Sequence, residues 1–313
     1  MRMRGPASTR VRWLVVLLSV STLCLSSLPA ACSPYSDSGK LVVAVTLEPQ
    51  AGFVEAIAGD RVEVVVMVPP GASPHTYEAT PDQMVLLSRA KMYAKVGSGV
   101  EFELSWMDRL IAANRQMLVV DCSSGVQLIE ANGDVHGEEP ANNDTGDDDH
   151  QHSGTDPHIW LSGPNAMVMV RNLCDGLVQV DPANAAFYRG NCDAYVDALA
   201  LLDEELRDAL DGLENRRFIV FHPAFGYFAR DYNLIQIAVE QGGNEPDAQY
   251  MVRLIREAEE HGIRVVFAAP QLSTRSAEVV AREIDGKVVI IDSLARDYIP
   301  NMRAVAEAIR QVE

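Results

Sequence analysis

The sequence predicts an α/β protein of two similar lobes, each built on a parallel sheet and joined by one long rigid helix. Three observations carry that expectation. Short valine-rich apolar runs alternate with helical periodicity through residues 41–121 and again through residues 217–312, which is the pattern of βαβ units. Between the two series, residues 181–213 read as a single amphipathic helix. The chain of 313 residues is long enough for two domains of ordinary size, and 48% apolar with 22% charged is a globular composition.

Taken in order, residues 1–31 are an export signal. Arg2, Arg4, Arg10 and Arg12 precede an apolar run, which ends before Pro29-Ala30-Ala31-Cys32. That run is short for a spanning helix and is interrupted by Ser19, Ser21, Ser26 and Ser27. The small residues directly before Cys32 look like the lipobox of a prokaryotic lipoprotein, although Pro29 stands where such a motif usually has Leu. Lipidation of Cys32, with the chain anchored on the outer face of the cytoplasmic membrane or in the periplasm, is therefore expected. Residues 32–40 have a tether's composition.

The first lobe, residues 41–163, opens with a buried strand at 41–46 and a helix at 49–58 that ends at Gly59. A strand at 61–68, a loop at 69–80, a helix at 81–90 and a strand at 91–96 follow, then a helix at 102–114 and a strand at 117–121. Gly97-Ser98-Gly99 lacks the third glycine of a dinucleotide fingerprint, because Phe102 stands there, and reads as a turn. Residues 134–152 carry seven acids, three histidines (His136, His150 and His152) and no Lys or Arg. Such a segment has too little apolar surface to order itself and is expected as an acidic surface loop.

Residues 164–214 are connecting helices. A first helix covers 165–180, and a second begins with Asp181 as N-cap and Pro182 at the first helical position. Phe187, Tyr188, Cys192, Tyr195, Val196, Leu199, Leu202, Leu206, Leu210 and Leu213 then recur at spacings of three and four. In the second lobe, residues 215–313, strands are expected at 217–221, 234–239, 264–268 and 287–291. Helices are expected at 224–232, 247–261, 273–284 and 300–312. Two such lobes form a cleft, and open α/β sheets bind ligands at the carboxyl ends of their strands.

The formal charge is −18, and loss of the four signal arginines makes it −22. Nucleic acid is thereby excluded as a natural partner. With Cys24 in the signal and Cys32 at its end, Cys122, Cys174 and Cys192 remain, and no C-x-x-C spacing suggests a cysteine zinc site. Cys174 and Cys192 fall on consecutive helices that meet near Asp181, which would allow a disulfide or two buried thiols.

Four of the seven histidines have bland readings: three lie in the acidic loop, and His261 sits at a helix end. His75, His158 and His222 instead stand at junctions between elements, and Asp292 ends a strand. Three imidazoles and a carboxylate facing one cleft suit a divalent first-row ion.

Here the chain resembles the solute-binding lipoproteins of zinc and manganese ABC importers, the ZnuA and TroA type. The matching stretches are Gly71-Ala72-Ser73-Pro74-His75-Thr76-Tyr77-Glu78, Asp156-Pro157-His158-Ile159-Trp160-Leu161, His222-Pro223-Ala224-Phe225-Gly226-Tyr227-Phe228, Pro270-Gln271-Leu272-Ser273 and Ile291-Asp292-Ser293. They run in family order from about Leu41 to the C-terminus.

The resemblance implies one metal ion in the interlobe cleft, held by His75 and His158 from the first lobe and His222 and Asp292 from the second. It further implies an exported, monomeric receptor that delivers the ion to an ABC permease and is not an enzyme. Manganese members commonly have Glu at the third position, so His222 and the acidic loop favour Zn²⁺ over Mn²⁺. In the loop, His136, His150 and His152 would collect metal weakly. The alternative from another class is an exported zinc hydrolase, but the chain has no H-E-x-x-H or G-x-S-x-G, and four protein ligands would close the site to water. An adhesin role leaves no motif to read.

Overall fold

Valine, isoleucine and alanine runs too short for helices form eight strands among the described residues, and each run is followed by a helix that covers the sheet. The computed structural model describes Met1 and residues 39–130, 154–241, 244–272 and 274–311. The signal, Cys24, Cys32 and the loop with His136, His150 and His152 lie outside the described residues.

The first sheet contains β1 (Leu41–Val45), β2 (Val62–Val66), β3 (Met92–Lys95) and β4 (Leu118–Asp121), all parallel in the order β2-β1-β3-β4. Helices α1 (Glu48–Ala58), α2 (Pro81–Leu87) and α3 (Glu101–Ala113) connect them. The second sheet contains β5 (Arg217–Val220), β6 (Ile235–Ala238), β7 (Val265–Ala268) and β8 (Lys287–Ile290), again parallel, in the order β6-β5-β7-β8. Its helices are α6 (Gly226–Asp231), α7 (Ala248–Glu260), α8 (Arg275–Glu283) and α9 (Tyr298–Arg310). Each sheet repeats the same topology. In each, the direction of winding reverses beside the first strand, the place where open α/β sheets leave a crevice.

Helices α4 (Gly163–Val180) and α5 (Ala185–Asp211) join the sheets. The long helix starts later than its sequence suggests. Pro182–Asn184 form a 3₁₀ turn, and Asp181 closes α4 rather than opening α5. The Asp181 carboxylate accepts hydrogen bonds from Asn184 Nδ2 at 2.7 Å and Tyr188 Oη at 2.6 Å, which fixes the corner between the two helices. The 27 residues of α5 span roughly 40 Å at about 1.5 Å per residue. Gly190 does not break it. The face of Tyr188, Cys192, Val196, Leu199, Leu202, Leu206 and Leu210 is buried, and α5 packs on α4, α1 and α9.

Along β5 the alternation of side chains explains why the run is apolar throughout. Phe218 and Val220 join the main core, whereas Ile219 and Phe221 join a second apolar cluster with Leu254 of α7 and Val280 of α8. The main core is continuous from Val42 in β1 to Ile309 in α9, so the two lobes share it. Polar ties reinforce the junction: Arg296 donates to Glu48 at 2.6 Å and Glu55 at 2.9 Å, and Trp160 Nε1 donates to the Ser293 carbonyl at 2.7 Å. No described helix is long and apolar enough to cross a membrane.

Cys122, Cys174 and Cys192 are free, buried thiols. Cys174 and Cys192, on the packed helices α4 and α5, stand as free thiols and not as a disulfide, with Cys192 Sγ donating to the Val170 carbonyl at 4.0 Å, the second of the two arrangements their spacing allowed.

Candidate metal centre

His75 lies in the loop between β2 and α2, and sequence-local chemistry holds that loop. Thr80 caps α2 in a capping box with Gln83, whose side-chain amide also donates to the carbonyls of Val66 at 3.2 Å and Met67 at 2.8 Å. The far end of the loop is thus tied to the end of β2. Ser73 turns the tip, accepting the His75 N–H on its hydroxyl at 3.3 Å and the Tyr77 N–H on its carbonyl at 3.0 Å.

His158 follows the first sheet in an extended segment. Asp156 accepts its backbone N–H at 2.9 Å, and the Tyr227 hydroxyl donates to the Asp156 carbonyl at 2.9 Å. Gly226 allows this approach, since a Cβ there would collide with the Asp156 carboxylate. His222 comes two residues after the end of β5, so its position is set by the second sheet.

The three rings meet. His222 Nε2 lies 3.1 Å from His75 Nε2 and 3.1 Å from His158 Nε2, and among the described residues these three form the one group of potential metal ligands. Each remaining ring nitrogen faces a carboxylate. His75 Nδ1 is 2.9 Å from Glu101, His158 Nδ1 is 2.8 Å from Asp156, and His222 Nδ1 is 2.9 Å from Glu240. A carboxylate on Nδ1 favours the tautomer with the proton there, which leaves the Nε2 lone pairs converging. Three converging lone pairs repel one another unless a cation or a proton sits among them. With Zn–N bonds of about 2.0–2.1 Å a tetrahedral site has N···N edges of roughly 3.3 Å, close to the spacing present.

Electrostatics differ among the rings. Burial lowers the His75 pKa, but the hydrogen bond and charge of Glu101 outweigh it, so His75 holds its proton above the ordinary 6.5. Glu101 is held below the usual carboxylate range, because its hydrogen bond and ion pair with His75 exceed the opposing effect of burial. His222 is shifted below 6.5 by burial, against the pull of Glu240.

Sequence reasoning missed Glu101 and Glu240 and quoted Asp156 without a role. Glu101 opens α3, one residue earlier than the expected helix. It is fixed by Glu103, which accepts from Thr46 Oγ1 at 2.5 Å, Val96 N at 2.6 Å and Gly97 N at 2.9 Å, and whose carboxyl is pushed up by burial. Gly97 supplies the turn with φ 86°, and a Cβ there would strike Asp121. Glu240 ends the β6 segment as Asp292 ends β8. A search for carboxylates at strand ends would have found it.

Asp292 is the sequence-predicted ligand that the fold does not bring to the histidines. Its Oδ1 accepts from Leu294 N at 2.9 Å and Gln271 Nε2 at 2.8 Å. An aspartate whose carboxylate binds the backbone two residues on closes its own turn, and that local bond competes with reaching the centre.

The chain is 29% identical over 273 residues to a putative metal-binding protein of Treponema pallidum, covering 85% of this chain and 83% of that one. It is 29% identical over 276 residues to the high-affinity zinc uptake system protein ZnuA of Bacillus subtilis, covering 85% of each. A crystal structure of a ZnuA superposes with a TM-score of 0.79 at 38% identity, over 87% of this chain and 99% of that one. Residues 43–312 match the family described as zinc-uptake complex component A, periplasmic, and the chain belongs to that family.

Proposed function

We propose that this protein is an extracytoplasmic zinc receptor that holds one Zn²⁺ between its lobes on His75, His158 and His222 and delivers it to an ABC import permease. The observation that carries the reading is the convergence of three Nε2 atoms, each ring backed by its own carboxylate. Neutral imidazoles are nitrogen donors of intermediate softness, which suit zinc better than manganese, an ion that favours oxygen. Zinc needs no redox change to be carried, so the chain requires no chemistry of its own. The relatives support the reading: one with 38% identity to this chain is a ZnuA deletion mutant with zinc bound.

The receptor acts as a monomer anchored through a lipid on Cys32, and the segment with His136, His150 and His152 collects metal weakly outside the main site. Titration of metal-free protein with zinc and manganese tests the central claim. One tight zinc per chain is expected, and manganese binding tighter than zinc would overturn it.

A further inference from the structure

The three imidazoles face a small chamber walled also by Trp160, Gln271 and Leu294. Its free volume is about 20 Å³. A water needs roughly 10–15 Å³ on this measure, so the chamber beside the three nitrogens has room for one water. A tetrahedral ion on three imidazoles has a fourth position to fill. Asp292 stands outside the ligand cluster, with Oδ1 engaged by Gln271 and Leu294.

Gln271 stands between the two. It lines both the chamber and the adjoining cleft of about 560 Å³, on which Asp292 also stands. Its amide nitrogen donates to Asp292, while its amide oxygen is buried and has no hydrogen-bond partner among the described residues. That orientation follows from the contact, because a flipped amide would set its oxygen against a carboxylate oxygen. A buried carbonyl oxygen beside an ion site lacks only a donor, and a water on a divalent cation is a strong one.

Building on the zinc-receptor reading, we propose that Gln271 is the positioning residue for a water in the fourth coordination place. Its Oε1 accepts from that water, and Asp292 acts at one remove by holding Nε2. The protein then surrenders its ion by breaking three protein bonds and one exchangeable solvent bond. This suits a carrier that must let go.

A crystal structure of the zinc-loaded protein tests the arrangement directly. An oxygen is expected about 2.0–2.2 Å from zinc and about 2.7–2.8 Å from Gln271 Oε1. Asp292 bound to the ion, or a fourth place with no solvent in it, would overturn the proposal. Chelator-driven zinc release supplies a second measurement. Gln271→Leu and Asp292→Ala should each speed release about 5-fold, the weight of one ordinary hydrogen bond. Because Asp292 works through Gln271, the double variant should release no faster than either single one. Multiplying rates, or an Asp292→Ala effect far exceeding that of Gln271→Leu, would overturn the assignment. Zinc absent from the three histidines altogether would instead refute the receptor reading beneath it.

Discussion

His222 and Glu240 stand just beyond the carboxyl ends of the neighbouring strands β5 and β6, with Nδ1 and Oε2 2.9 Å apart. The carboxylate fixes the ring's tautomer and raises its strength as a ligand. Carboxylates in this position are worth about 10–100-fold in metal affinity. Glu240→Ala is therefore expected to weaken zinc binding by that amount, and Glu240→Gln, which keeps an acceptor, by less. Competition against a chelator of known affinity measures both.

With Asp292 turned into its own loop, His222 is the one proposed ligand that the second sheet supplies. His222→Ala should cost more than about 100-fold in zinc affinity, beyond the loss of any single backing carboxylate. His222→Glu replaces nitrogen by oxygen and should shift preference towards manganese. Parallel titrations with the two ions check the pair of variants, and a His222→Ala protein that binds zinc normally would be inconsistent with the site.

Acid should strip the metal in a defined way. Zinc binds neutral imidazoles, so every proton taken up competes with it. His75 is raised above 6.5 by Glu101, against burial, and so is protonated first as pH falls, whereas His222 stays neutral to lower pH. Apparent affinity should begin to fall while the pH is still above 6.5. Glu101→Gln removes the raising charge and leaves burial, so the onset should move to lower pH even though affinity at alkaline pH is reduced. Titrations between about pH 5 and 8 show whether the onset moves in that direction.

The thiols should be inert in the folded protein. Burial pushes Cys122 and Cys174 up to about 12 and raises Cys192 as well. Only the thiolate is readily alkylated. Peptide mass spectrometry should find all three modified after denaturation without reductant and unmodified before it. A Cys174–Cys192 disulfide in the denatured, unreduced sample would contradict the thiol pair.

Local sequence determined the elements, because period and composition act between neighbouring residues. Val42 to Val45 make a strand buried on both faces, Thr80 and Gln83 cap α2, and the leucines of α5 mark its buried side. The same locality placed His75, His158 and His222 at element junctions, where open sheets leave their crevice. Only the tertiary structure decided what each side chain meets there. Glu101 and Glu240 reach the rings through contacts between separate elements, which no spacing in the chain records. Asp292 had the right residue type at the right strand end, yet a bond to Leu294 two residues on and a bond from Gln271 hold it elsewhere. Likewise Asp181 and Pro182 carry good signals for starting a helix. Tyr188 and Asn184, once packed at the corner, draw the Asp181 carboxylate to themselves, and α5 begins at Ala185.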